Sequence, residues 1–243
     1  MGGPSLSRRT LAEAIGTALL LATVVGSGIM GERLSGGNTA IALLANTIAT
    51  GAGLVALILT FGPISGAHFN PAVTLAVASQ GGFSWRDVPF YVVAQFSGGF
   101  VGVATADAMF DEPIFFASRH VRAGGPQLLS EFVATFGLLT VIWGCAWRRP
   151  AAVPFAVGAY ITAAYWFTAS TSFANPAVTL ARSATDTFAG IRPIDVPGFV
   201  VAELAGAAAA TALFRWLLPP AAGTAQGSAT TARDSIDDKR EVA

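Results

Sequence analysis

Asn70 and Asn175 each open the same seven-residue run, Asn-Pro-Ala-Val-Thr-Leu-Ala, once at 70–76 and again at 175–181. The chemistry in that run is chemistry of the backbone. Asn is a favoured N-cap because its side-chain oxygen accepts from the first free N–H groups of a helix. Pro71 and Pro176 then stand where a helix wants proline, with no N–H to leave unpaired and φ already helical. Ala72 and Ala177 let the helix start pack closely. Two such starts meeting head to head would each present about half a positive charge, with the amide N–H2 groups of Asn70 and Asn175 free to donate. Donors and a positive potential without a fixed anion tolerate neutral polar molecules and repel cations and protons. In a single copy, capping alone would be the plainer reading. Two copies in matching surroundings point to a site.

The surroundings do match. Val88-Pro-Phe-Tyr-Val-Val-Ala-Gln95 resembles Val196-Pro-Gly-Phe-Val-Val-Ala-Glu203, and Glu13-Ala-Ile-Gly-Thr17 resembles Glu131-Phe-Val-Ala-Thr135. The 243-residue chain is 53% hydrophobic and 12% charged, with a mean hydropathy of +0.60. An average soluble protein is about 25% charged. Six apolar runs, at 11–30, 40–62, 88–110, 128–147, 151–170 and 196–218, are each about the 20 residues that cross a bilayer. Two shorter runs, 70–79 and 175–184, cannot span and read as re-entrant pieces buried against other helices. Each half therefore holds three spans and one re-entrant segment. Three is odd, so the second half sits upside down relative to the first, and the site lies near the midplane where the broken helices end. The sequence predicts an all-α membrane protein of six transmembrane helices plus two half-helices. Its channel domain covers 11–218, with halves at 11–110 and 128–218, between a cytoplasmic segment at 1–10 and a disordered cytoplasmic tail at 219–243.

Composition narrows the partners. Fourteen basic and fourteen acidic residues give no net charge and no basic face for nucleic acid. One cysteine, Cys145, and two histidines, His68 and His120, make no disulfide framework, metal cluster or cofactor site. No nucleophile–base arrangement or phosphate loop suggests an enzyme. With the N-terminus inside, nine basic residues fall on the cytoplasmic side against four outside, which places both termini in the cytoplasm of a cell (inner) membrane protein. Ser7-Arg8-Arg9 reads as an inner-face anchor rather than an export signal.

The paired motif, Ser65-Gly-Ala-His68-Phe before the first copy, Ala94-Gln95 and the Glu-containing starts of spans one and four resemble the major intrinsic protein family, the aquaporins and aquaglyceroporins. The likeness covers about 11–218. It implies a right-handed, aquaporin-like bundle with one pore per subunit, assembled as a homotetramer in the lipid bilayer. It also implies a selectivity constriction whose arginine normally follows the second Asn-Pro-Ala. Here that residue is Val178. Ungapped counting from the two asparagines puts the other constriction positions at Thr50, Ala163 and Ser172. None is aromatic, His or Arg, so the expected filter is wider and less charged than in a water-selective pore. This pattern resembles the aquaglyceroporins encoded with bacterial arsenic-resistance operons, which implies passage of neutral arsenous acid.

Arg182 has two readings, a filter arginine displaced by one turn from Val178 or a residue behind the short helix that binds carbonyls or a carboxylate. The second is the expectation. Glu13 and Glu131 are ionisable groups inside spans; their duplication favours carboxylates that accept N–H groups from the re-entrant loop of their own half. Gln95 and Glu203 take equivalent structural places, and His68 is expected to line the pore, with gating as a further option. The expected function is a passive channel for small uncharged polar solutes. The alternatives are a general glycerol or water channel, and an ion-coupled transporter using Glu13 and Glu131.

Overall fold

Eight α-helices make up residues 3–218, the part of the chain described by the computed structural model: α1 Leu6–Leu34, α2 Thr39–Ser65, α3 Pro71–Ser79, α4 Val88–Met109, α5 Gly125–Arg148, α6 Val153–Phe167, α7 Pro176–Arg182 and α8 Val196–Leu217. The expected tail at 219–243 lies outside the described residues. α1, α2, α4, α5 and the stretch Pro193–Leu217 are each long and apolar enough to cross a bilayer. α3 and α7, with nine and seven residues, are not.

Two boundaries differ from expectation. α1 begins at Leu6 and not at 11, so Ser7, Arg8 and Arg9 form its first turns, and Arg9 pairs with Asp87 at 2.8 Å, next to the start of α4. The expected span at 151–170 contains only 15 residues of α-helix, preceded by a 3-10 turn at Pro150–Ala152. At 1.5 and 2.0 Å per residue the two pieces rise about 28 Å, close to the ~30 Å of a hydrocarbon core. α6 stops because Thr168 turns to extended backbone, with its hydroxyl bonded to the Ala164 carbonyl.

In the first half α1 packs on α2 and α4; in the second, α5 packs on α6 and α8; α2 meets α6 between the halves. These crossings are close where side chains are missing. A Cβ on Gly102 of α4 would lie 2.8 Å from Leu21 Cβ of α1, and one on Gly206 of α8 would lie 2.9 Å from the Phe136 backbone nitrogen of α5. Both glycines belong to small-residue rows, Gly98/Gly102 and Ala202/Gly206/Ala210, which let helices approach where lipid offers no hydrophobic drive. Large apolar residues such as Leu19, Ile48, Val101 and Val201 stay exposed on the outer surface, as a lipid-bathed bundle requires.

Candidate functional site

Each half-helix is reached through an irregular segment, and each segment is built the same way. α2 ends at Gly66, whose φ of 91° is left-handed, and the chain then runs to Asn70. Ala67 and Phe69 have φ of 49°; Ser172 and Ala174, at the matching positions before Asn175, have φ of 53° and 50°. Alternating left-handed residues cannot bond within a helix, so their N–H groups need other acceptors. Glu13 supplies them in the first half, accepting from His68 N at 3.0 Å and Phe69 N at 2.7 Å, with Ser65 Oγ at 2.6 Å and Gln95 Nε2 at 2.9 Å completing its shell. Glu131 does the same in the second half, accepting from Phe173 N at 2.9 Å and Ala174 N at 2.7 Å. Both carboxylates are fully buried behind the loops, away from the central cavity. Glu203 occupies the place of Gln95: it accepts from Thr179 Oγ1 at 2.5 Å and lies within hydrogen-bond reach of Glu131.

The asparagines cap α3 and α7. Asn70 Oδ1 accepts from Ala72 N at 2.9 Å; Asn175 Oδ1 accepts from Ala177 N at 2.9 Å and Val178 N at 3.3 Å. Their amides were expected to be wholly free, and they are not. Asn70 Nδ2 donates to the Ala174 carbonyl and Asn175 Nδ2 to the Phe69 carbonyl, each at 2.8 Å. An amide nitrogen carries two protons, so one N–H of each asparagine locks the two loops together and one is left for the cavity.

That cavity, about 190 Å3, passes both asparagines. Thr50, His68, Ser172 and Val178 line it. Most of the remaining wall is aliphatic, with Leu54, Ile142, Val153, Val157 and Ile161 among its residues. Pro71, Ala72, Pro176 and Ala177 are buried but do not line it; they shape the helix starts. His68 bonds Thr74 Oγ1 through Nδ1 at 3.1 Å and packs edge-on against Phe83 and Tyr91.

Ala163 is the expected constriction residue that the structure removes. It is exposed on the outside of α6. The inward stripe of α6 is Val153, Val157, Ile161 and Tyr165, spaced by four. Ala163 is two residues from both Ile161 and Tyr165, about 200° around a helix of 3.6 residues per turn. The side chain opposite Thr50 is Tyr165, whose hydroxyl donates to Thr50 Oγ1 at 3.3 Å. The i, i+4 spacing was the signal that would have found it.

Arg182 also departs from expectation. It binds a carbonyl, Ala189 O through Nε, as expected, yet it also lines the cavity, 2% exposed, with its guanidinium 3.4 Å from the centre of the Phe173 ring. Beyond it lies a second cavity of about 410 Å3, walled by Asn46, His120, Arg122, Thr171 and Arg182 among others. Arg122 and His120 thus belong to a vestibule. Arg122 donates through Nε to Gly190 O at 2.8 Å and through Nη1 to Ser170 O at 3.1 Å, and its guanidinium lies 4.9 Å from the centre of the same Phe173 ring. At the rim, Arg119 donates from its backbone and its guanidinium, each at 2.8 Å, to Asp186, which holds that carboxyl below its ordinary value.

Residues 3–151 match the family model described as "Major intrinsic protein". The chain is 60% identical over 217 residues to aquaglyceroporin AqpS of Rhizobium meliloti (strain 1021), covering 89% of this chain and 92% of that protein. It is 35% identical over 214 residues to aquaporin NIP2-2 of Zea mays, covering 84% of this chain and 70% of that one. In fold it is similar to the X-ray structure of the aquaglyceroporin from Plasmodium falciparum, with a TM-score of 0.69 at 21% identity over 87% of this chain and 95% of the other.

Proposed function

The chain belongs to the major intrinsic protein family and forms a membrane channel for small solutes, and we propose that its cargo includes neutral trivalent arsenic hydroxide, arsenous acid. The observation that carries this reading is Val178, an aliphatic side chain on the cavity wall in the first turn of α7, where the family resemblance calls for an arginine. A valine there removes both a multi-donor fork and its bulk. The wall left behind is largely aliphatic and interrupted by few polar groups, which suits a compact neutral triol. We read the constriction as Thr50, Tyr165, Ser172 and Val178 and the midplane donors as Asn70 and Asn175. Four such subunits make the assembly, with both termini on the cytoplasmic face of the inner membrane and the tail at 219–243 beyond the channel domain.

Proteoliposomes carrying the protein test this directly. Arsenic taken up from external arsenous acid, measured by mass spectrometry, is expected to exceed that of empty vesicles, alongside glycerol flux. Water and glycerol flux without arsenic uptake would leave a general glycerol or water channel instead. The ion-coupled reading has less support, because Glu13 and Glu131 use their oxygens on loop N–H groups behind the cavity wall.

A further inference from the structure

We propose that Arg182 is the charge-selecting and solute-orienting residue of this conduit, a filter arginine moved one turn outward from position 178. The inference rests on the channel reading above and adds the residue that discriminates.

α7 starts at the midplane and runs toward the vestibule, so a residue one turn beyond Val178 stands nearer the mouth, and Arg182 borders both the central cavity and the vestibule. Any solute passing between them passes its guanidinium. The side chain is held from two sides, by the Ala189 carbonyl at Nε and by the face of Phe173. Its Nη1 is buried and has no hydrogen-bond partner. Among the described residues no carboxylate forms an ion pair with it. A buried guanidinium N–H without an acceptor is costly, and a functional role or a bound water or ion is among the few reasons a native structure leaves one. A second open group stands on the same wall: Ser172, 3% exposed, has its Oγ unpartnered. A fixed N–H donor and a hydroxyl that donates or accepts form a two-point station for a neutral solute bearing vicinal or geminal hydroxyl groups. The fixed positive charge, with Arg122 across the Phe173 ring adding to it, raises the barrier for any cation.

The test uses full-length protein in proteoliposomes, with glycerol and water flux followed by light scattering and cation entry by a potassium- and proton-sensitive dye. Arg182→Met is expected to raise cation entry by roughly tenfold or more and to lower glycerol flux several-fold relative to water. Moving the arginine back, Val178→Arg in the Arg182→Met background, should restore cation exclusion; a purely structural Arg182 would not be rescued that way. If Arg182→Met fails to assemble, Arg182→Lys carries the test, since it keeps the charge and loses the fork: cations stay excluded while glycerol flux falls. Wild-type cation exclusion and glycerol flux in a folded Arg182→Met protein, or unchanged glycerol flux in Arg182→Lys, would overturn the assignment. Failure of the wild-type protein to pass any neutral solute would instead count against the channel reading, so the two failures are distinct.

Discussion

Asn70 and Asn175 are cross-bonded: each donates a side-chain N–H, at 2.8 Å, to the backbone carbonyl of the residue immediately before the other. The two halves of the chain thus share one interlock at the centre of the bundle, and each asparagine serves as helix cap, loop clasp and cavity donor at once.

Asn175→Ala removes an N-cap, a loss of about 1 kcal/mol, and leaves the buried Phe69 carbonyl unpaired, a further ~1–3 kcal/mol. Asn70→Ala does the same to Ala174. Both single variants should lower the thermal unfolding midpoint in detergent, and the double variant should lose less than the sum, because either change alone already opens the shared clasp. Fully additive losses would show that the two bonds act independently.

Val178→Arg should cut glycerol flux more than water flux, since it adds a bulky fork to a wall that now holds only a valine. Stopped-flow light scattering on reconstituted protein reads both. Glycerol flux undiminished in a folded variant would mean that Val178 is not at the narrow point.

The two buried acids of the second half should respond in opposite ways. Glu131→Gln leaves one acceptor oxygen for the Phe173 and Ala174 N–H groups, so one is stranded at a cost of about 1–3 kcal/mol. Glu203→Gln recreates the Gln95 arrangement of the first half, with an amide donor facing Glu131 as Gln95 faces Glu13. Thermal midpoints are expected to fall for the first variant and hold or rise for the second.

Acid should loosen the rim of the vestibule. Arg119 holds the Asp186 carboxyl below its ordinary value of 3.8, so the ionised form contributes order above the unfolded value, and that contribution is lost as pH falls through the depressed folded value. Hydrogen exchange at the Arg119 amide, corrected for intrinsic rate, should rise only in strong acid, and Asp186→Asn should exchange fast at every pH. The Arg119 side chain is 80% exposed, so the global stability should barely change.

Much of this could be read from the residues themselves. A seven-residue duplication announced α3 and α7, and an acid inside the first apolar span of each half announced the loops that Glu13 and Glu131 hold, because a membrane interior leaves irregular backbone few other acceptors. Thr50, Ser172 and Val178 followed from counting along the chain from Asn70 and Asn175. Counting failed at Ala163 because position around a helix, not distance from a motif, decides which side chain faces inward. The position of Arg182 on the cavity wall is not legible in the same way, since its partner, the Ala189 carbonyl, lies in a loop whose path sequence periodicity does not describe. The vestibule of His120 and Arg122 was invisible for the same reason: it is assembled from four separate connections.

α6 is twelve residues shorter than α2, its counterpart in the other half (15 against 27); most of the difference lies at its start, and at its end the loop from Thr168 to Asn175 is three residues longer than that from Gly66 to Asn70. The pseudo-twofold is therefore broken, and the vestibule of Arg122 and Arg182 forms a funnel at one mouth. In a conduit without an energy source, detailed balance forbids this asymmetry from favouring entry over exit at equal concentrations. What the funnel changes is the capture radius on its own side, and with it the concentration at which flux from that side saturates.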